Sequence, residues 1–248
     1  MKRVFKALTA ISTVLTLNAC SAHTQLTSGN DYLSRYTPSQ ARLSSTIDQD
    51  VREIATIEPN LQFPARIGLA RIERGQLTNA PVDELASWSK LSDELGPAYG
   101  EFVPVSPFIA SMVRPEDTKL RTEHVVSDIR RASARQHLDY VLVYEVSNKT
   151  ENDSNALSLG DLTILGLYVL PSRNIKVEST ASALLLDVRN GYPYGTATAF
   201  AEAKKVATRA GSGSYRQKLN DTTKLDAVIN LTDEVEVMFE ELYRELTD

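Results

Sequence analysis

The spacing of apolar residues changes period several times along the chain, and each change marks an element. Residues 7–17 are apolar apart from Thr and Ser. That run of about eleven is too short to cross a bilayer, which takes about twenty. From residue 21 to 61, Ser, Thr, Gln, Asn and Asp dominate, predicting a polar tether that as a coil would span roughly 35 Å. Within it, Leu43, Ile47, Val51 and Ile54 have helical spacing, consistent with a helix that docks on the domain or a partner, or with a transient linker helix. Residues 65–73 alternate Ile67, Leu69 and Arg71 with Gly68, Ala70 and Ile72, a strand pattern. A helix is predicted from Pro81, with Asn79 as cap, a stripe of Leu85, Trp88, Leu91 and Leu95, and Gly96-Pro97 as its stop. Residues 102–105 form a short strand that Pro104 assigns to an edge. Residues 117–137 form a helix buried along Val125, Val126, Ile129, Ala132 and Ser133.

The second half is richer in strands. Residues 138–146 predict a central strand and 148–156 a polar turn. Residues 157–170 are almost continuously apolar, which fits a buried central strand better than a membrane hairpin, whose residues would alternate. After a turn at 171–174 come a strand over 175–188, an Asn190-Gly191 hairpin signal and a strand from Tyr192 toward Lys204. Residues 219–246 keep a 3.6-residue period through Leu225, Val228, Ile229, Thr232, Val235, Phe239, Leu242 and Leu246, with Asp221 as cap. The order β-α-β-α-β-β-β-β-α predicts one α+β domain over 62–248, a mixed, largely antiparallel sheet with packed helices.

Composition changes this picture at three points. With 42% hydrophobic and 24% charged residues, the chain can build an ordinary core. Its single cysteine, Cys20, excludes an intramolecular disulfide, so that core must hold the fold alone. The net charge of −5 argues against general nucleic-acid binding. One basic stretch stands out: Lys204, Lys205, Arg209, Arg216 and Lys218, with no acidic residue from 203 to 220. It could meet phosphates of lipopolysaccharide, phospholipid headgroups or an acidic partner, or be a solvated loop.

Catalytic chemistry is not apparent. His23 falls in the tether, and His124 and His137, thirteen positions apart on one predicted helix, would lie on nearly opposite faces. No zinc-protease, paired-cysteine, nucleophile-elbow or phosphate-loop pattern occurs. Gly211-Ser-Gly-Ser214 lacks phosphate-loop spacing and reads as a flexible connection. The expectation is no enzyme, no cofactor and no metal site.

The beginning of the chain carries the sharpest signal. Lys2, Arg3 and Lys6, the apolar run and the small residues before Cys20 have the anatomy of a secretory signal over residues 1–19. Leu17, Ala19 and Cys20 also resemble the lipobox of bacterial lipoproteins. That resemblance implies cleavage between Ala19 and Cys20 and lipidation of Cys20. With Ser21 rather than aspartate next, it further implies an outer-membrane anchor on the periplasmic face.

Further along, Pro64-Ala-Arg-Ile-Gly-Leu-Ala-Arg-Ile72, Leu138-Asp-Tyr-Val-Leu-Val-Tyr144, Leu162-Thr-Ile-Leu-Gly-Leu-Tyr-Val-Leu-Pro171 and Ser182-Ala-Leu-Leu-Leu-Asp-Val188 resemble the bacterial rhombotarget lipoproteins. More distantly, they are similar to the curli-secretion lipoprotein, the penicillin-binding-protein activator lipoproteins and the N-terminal domain of the Tol-system propeller protein. The rhombotarget family brings no activity with it, and the favoured expectation is a non-catalytic, lipid-anchored periplasmic binding or assembly module whose sheet, helices or basic loop bind another envelope protein. The alternative it leaves is an oligomeric subunit of an outer-membrane secretion or transport complex. Leu246-Thr-Asp248 lacks the glycine-glycine and hydrophobic tail of rhomboid-type protease substrates, so C-terminal processing is not expected.

Overall fold

Strand β2 (Ala65–Glu73) is buried along most of both faces, because small and branched apolar residues occupy its inward and outward positions alike. The computed structural model describes residues 21–35, 46–114, 124–154, 173–207 and 212–247. In it β2 pairs in parallel with β5 (Tyr140–Ser154), from Ile67 opposite Tyr140 to Ile72 opposite Glu145. The other edge of β2 is shared by β4 (Gly100–Pro104), parallel, and β3 (Gln76–Thr78), antiparallel. The β2–β3 turn puts Arg74 and Gly75 at φ 52° and 73°, the double left-handed geometry of a tight hairpin. Beyond β5 the sheet continues antiparallel through β6 (Arg173–Asp187), β7 (Pro193–Ala207) and the four-residue β1 (Ser21–Thr24). The α+β class and the mixed, largely antiparallel sheet are as the sequence predicts.

Helices cover the two faces unequally. On one face lie α3 (Val82–Leu95) and the long α6 (Ser212–Thr247), whose 36 residues reach about 54 Å. Ala227, Val228, Leu231, Val235, Met238, Phe239 and Leu242 of α6 pack with Trp88 and Leu91 onto Leu69, Leu142, Tyr144, Leu185 and Ala199. Burying each such large side chain contributes about 1.5–3 kcal/mol. On the opposite face, α4 (Pro107–Met112) and α5 (Val125–Arg135) bring Ala110, Ile129 and Ala132 against Ala70, Ile72, Val141, Val143 and Leu186. This second core ends near Leu184 and Leu186. On that side of β6 and β7, Ser182, Thr196 and Phe200 are exposed.

Several expectations are corrected. The helix expected over 117–137 is α5, shorter, with His124 at its N-cap and His137 beyond its end at φ 56°, so the two histidines flank the helix. Helix α4 was not anticipated; Ser106 caps it by accepting the Ile109 N–H, and Pro107 occupies the first turn. Asn79 does not cap α3, whose N-cap position is Pro81 without a side-chain cap. Gly96 does stop α3, at φ 77°. The polar turn expected from residue 148 is strand through Ser154, paired with Arg173. A ladder is made of main-chain bonds, so a polar run free of Gly and Pro can extend it. Helix α6 starts at Ser212, leaving Asp221 inside it and Gly213 in its first turn.

The tether expectation also changes. Ser21–Thr24 is a strand on β7, Ala22 and Leu26 pack against the main core, and Leu61 is buried in it. Between them lie α1 (Gly29–Arg35) and α2 (Thr46–Ala55). The predicted stripe is helical at Ile47, Val51 and Ile54, while Leu43 lies outside the described residues, as does the strand expected over 157–170.

Candidate functional site at the N-terminal edge

Three tyrosines bind the N-terminal segment to the sheet. The Tyr140 hydroxyl accepts the Gln62 N–H at 2.7 Å and donates to the Asn60 carbonyl at 2.9 Å. The Tyr194 hydroxyl accepts the Asn60 N–H at 2.9 Å and donates to Asp187 Oδ2 at 3.2 Å. That of Tyr192 donates to the Thr27 carbonyl at 3.1 Å. Burial pushes the phenols of Tyr140 and Tyr194 above the usual tyrosine range, and the Asp187 carboxylate pushes the same way, so both act as neutral hydrogen-bonding groups. The remaining oxygen of Asp187 accepts the N–H groups of Arg189 and Asn190, fixing the hairpin that carries Tyr192 and Tyr194.

Glu58 completes the arrangement. Its carboxylate accepts the N–H groups of Gly29 and Asn30 and so caps α1 from a distance in sequence, while its carbonyl accepts from Asn190 Nδ2. Between α1, α2 and the hairpin this leaves an apolar groove of ≈ 500 Å³, lined by Thr27, Tyr32, Val51, Ile54, Ile57 and Tyr192. Ile54 is 67% exposed and Tyr32 48%. A groove of this size and lining suits apolar side chains, and among the described residues Tyr32 and Tyr192 are the titratable groups that line it.

A second cleft lies beside a buried ionic cluster. Arg71 donates from Nε and Nη2 to both oxygens of Glu84, at 2.8 and 3.2 Å, and Tyr144 donates to Glu84 at 2.9 Å. Arg71 also bridges to Glu73 at 2.9 Å, and that hydrogen bond holds the Glu73 carboxyl below its usual range. Burial, reinforced by Glu84, raises the Tyr144 phenol far above its usual range. Each charge is consumed by its neighbour, so the cluster serves to lock β2, α3 and β5 together, with no free nucleophile or base.

The residues singled out from sequence are distributed differently. Lys204 and Lys205 lie in the last turnward residues of β7, and Arg216 and Lys218 are exposed on the first turns of α6. The basic stretch therefore straddles a strand end and a helix start; Arg209, Ala19 and Cys20 lie outside the described residues. His23 is exposed on β1. Among the described residues no group of three or more His, Cys, Asp or Glu could hold a metal, and no helix is long and apolar enough to cross a membrane. The groove and its tyrosine ties escaped sequence reasoning. The signal available was Tyr192-Pro-Tyr194 after a hairpin turn, which marks a strand start without naming what the hydroxyls reach.

No family model matches the chain, and no curated protein does. Solved structures similar to it include the PelC dodecamer from Paraburkholderia phytofirmans, at 10% identity and TM-score 0.30, covering 73% of this chain and 92% of that one. Lipoprotein GNA1162 from Neisseria meningitidis is similar at 15% identity and TM-score 0.30, covering 64% and 98%. The hypothetical protein CT253 from Chlamydia trachomatis is similar at 12% identity and TM-score 0.26, covering 73% and 95%. Likenesses this distant carry no argument about what this chain does.

Proposed function

We propose that this chain is a non-catalytic, lipid-anchored binding and assembly module of the bacterial cell envelope, held on the periplasmic face of the outer membrane. The observation that carries the reading is the position of the only cysteine. Cys20 ends a basic and apolar leader and directly precedes the first strand of the folded domain. The groove over Tyr32, Val51 and Ile54 supplies a binding surface for apolar side chains of an envelope protein. A membrane anchor raises the local concentration of such a surface near its partner.

Incorporation of radiolabelled fatty acid into the wild type, and its loss together with release from membranes in Cys20→Ala, is the expected result. Unchanged membrane retention of Cys20→Ala would overturn the anchor. The native mass in mild detergent then separates the binding module, a monomer or dimer, from a closed-ring subunit of a secretion or transport complex.

A further inference from the structure

The anchor and the sheet are adjacent in the chain, and their adjacency fixes an orientation. Ser21 lies opposite Thr198 in the β1–β7 ladder, and His23 opposite Thr196. Cys20 is the residue before Ser21, so its Cα is about 3.8 Å from a residue already paired into the sheet. A lipid on Cys20 would enter the bilayer beside β7, with no tether between.

Side chains alternate across a sheet, and on β7 they divide sharply. Ala197 and Ala199 are buried toward α6, whereas Thr196 and Phe200 are exposed on the other face and Thr198 is half-buried there. The Thr198 hydroxyl is 3.2 Å from that of Ser182, itself exposed on β6. Among the described residues, α4 and α5 do not extend over this half of the sheet. Phe200, 50% exposed, is an aromatic ring two residues along β7 from the partner of Ser21.

We infer that the open face of β1, β7 and β6 rests on the lipid headgroups of the membrane to which Cys20 is anchored. The proposal rests on the lipidation of Cys20 and adds the surface that faces the bilayer. The hydroxyls of Thr196, Thr198 and Ser182 meet headgroup oxygens and ammonium groups, and Phe200 reaches the boundary with the acyl chains, where apolar side chains are favoured. On this face Glu178 lies opposite Lys149 on one side and Glu202 on the other, charges of both signs, so attraction to anionic lipid is not what holds it. The short covalent link is.

The test uses the full-length lipoprotein in vesicles of phosphatidylethanolamine and phosphatidylglycerol containing a headgroup-nitroxide lipid. Lipidation consumes the thiol of Cys20, so Phe200→Cys and Val82→Cys each carry one labelling site for a fluorophore. Val82, on α3, is 81% exposed on the opposite layer. Loss of most fluorescence at position 200 and none at 82 is expected; equal quenching, or none at either, would overturn the proposal. A thirty-residue Gly-Ser spacer between Cys20 and Ser21, roughly 30 Å as a coil, should abolish the quenching while the protein stays on vesicles. Quenching that survives the spacer would overturn the link as its cause. Failure to join vesicles, with a reactive Cys20 thiol, would overturn both readings and is recognised by that thiol.

Discussion

Among the described residues, the half of the sheet built on β2 and β5 has helices on both faces, and the half built on β6, β7 and β1 has them on one. In the covered half the outward positions are Ala70, Ile72, Val141 and Val143, sealed by Ile129 and Ala132. In the open half the equivalent positions are Ser182, Thr196 and Phe200. The strands share one ladder, so backbone pairing is not what separates them. The difference teaches that β propensity and hydrogen bonding set the extent of this sheet, while side chains on one face decide which part is core and which is surface. The N-terminal segment joins both halves, pairing β1 with β7 and tying Asn60 and Gln62 to Tyr140 of β5.

The sharpest way to break this comparison is to remove Glu84. Its loss in Glu84→Ala leaves the Arg71 guanidinium buried without its bidentate partner, and removing one member of such a pair costs about 3–5 kcal/mol. Denaturant unfolding should show that loss, with Ser182→Ala as the open-face control. Equal effects of the two would mean that the covered half is not the stability centre. Ile129→Ala tests the same contrast through packing, at about 2–5 kcal/mol. Ile129 has no solvent exposure and is the centre of the α5 contact, so a cavity there cannot be filled by water-facing neighbours.

The covered half was legible in the sequence and the open half only in part. Ile129 and Ala132 stand out by helical period, and β5 by its unbroken β-rich run, since Tyr140, Val141, Leu142, Val143 and Tyr144 are all buried. The α6 stripe stands out by period through the buried Val228, Val235, Phe239 and Leu242, although Ile229 and Leu246 in it are exposed, and the start at Ser212 gives no signal, since Ser and Gly in a first turn carry no helical period. The residues from Ser21 to Leu61 read as a tether because, apart from Ala22, Leu26 and Leu61, much of their attachment is polar. It runs through Tyr140, Tyr192 and Tyr194 hydroxyls and through Glu58, bonds that join positions 28 to 165 residues apart and leave no local pattern. The groove was invisible for the same reason. Cys20 needed no fold to be noticed, because its signal is an address written in adjacent residues.

Those tyrosines give a smaller effect. Tyr140→Phe strands the Gln62 N–H and the Asn60 carbonyl, so a loss of about 1–3 kcal/mol is expected. Hydrogen exchange should locate it at residues 22–34 and 60–62 rather than in α5. A uniform loss of protection would mean that the N-terminal segment folds as one unit with the core. The phenols also predict a pH limit. Tyr140, Tyr144 and Tyr194 have folded-state values raised by burial, so near and above pH 10 the unfolded chain releases phenolic protons that the folded chain keeps. Stability is therefore full below about pH 10 and falls as pH rises beyond it. Thermal melts between pH 8 and 11, with tyrosinate absorbance followed alongside, check the sign; unchanged melting across that range would contradict the burial of these hydroxyls.

The smallest effect is the most informative about the open face. Phe200→Ser replaces a ring already half exposed, and its neighbours on that face are hydroxyls rather than core. Surface substitutions of this kind change stability by less than about 0.5 kcal/mol. In detergent-free, unlipidated protein made as Cys20→Ala without its leader, the melting temperature should therefore stay at that of its Phe200 parent. A marked destabilisation would mean that something covers Phe200 even without a membrane, and a second copy of the chain is then the first candidate. Native mass decides that point: a dimer that Phe200→Ser splits would turn the open half into a protein interface, whereas an unaltered monomer leaves it free to face lipid.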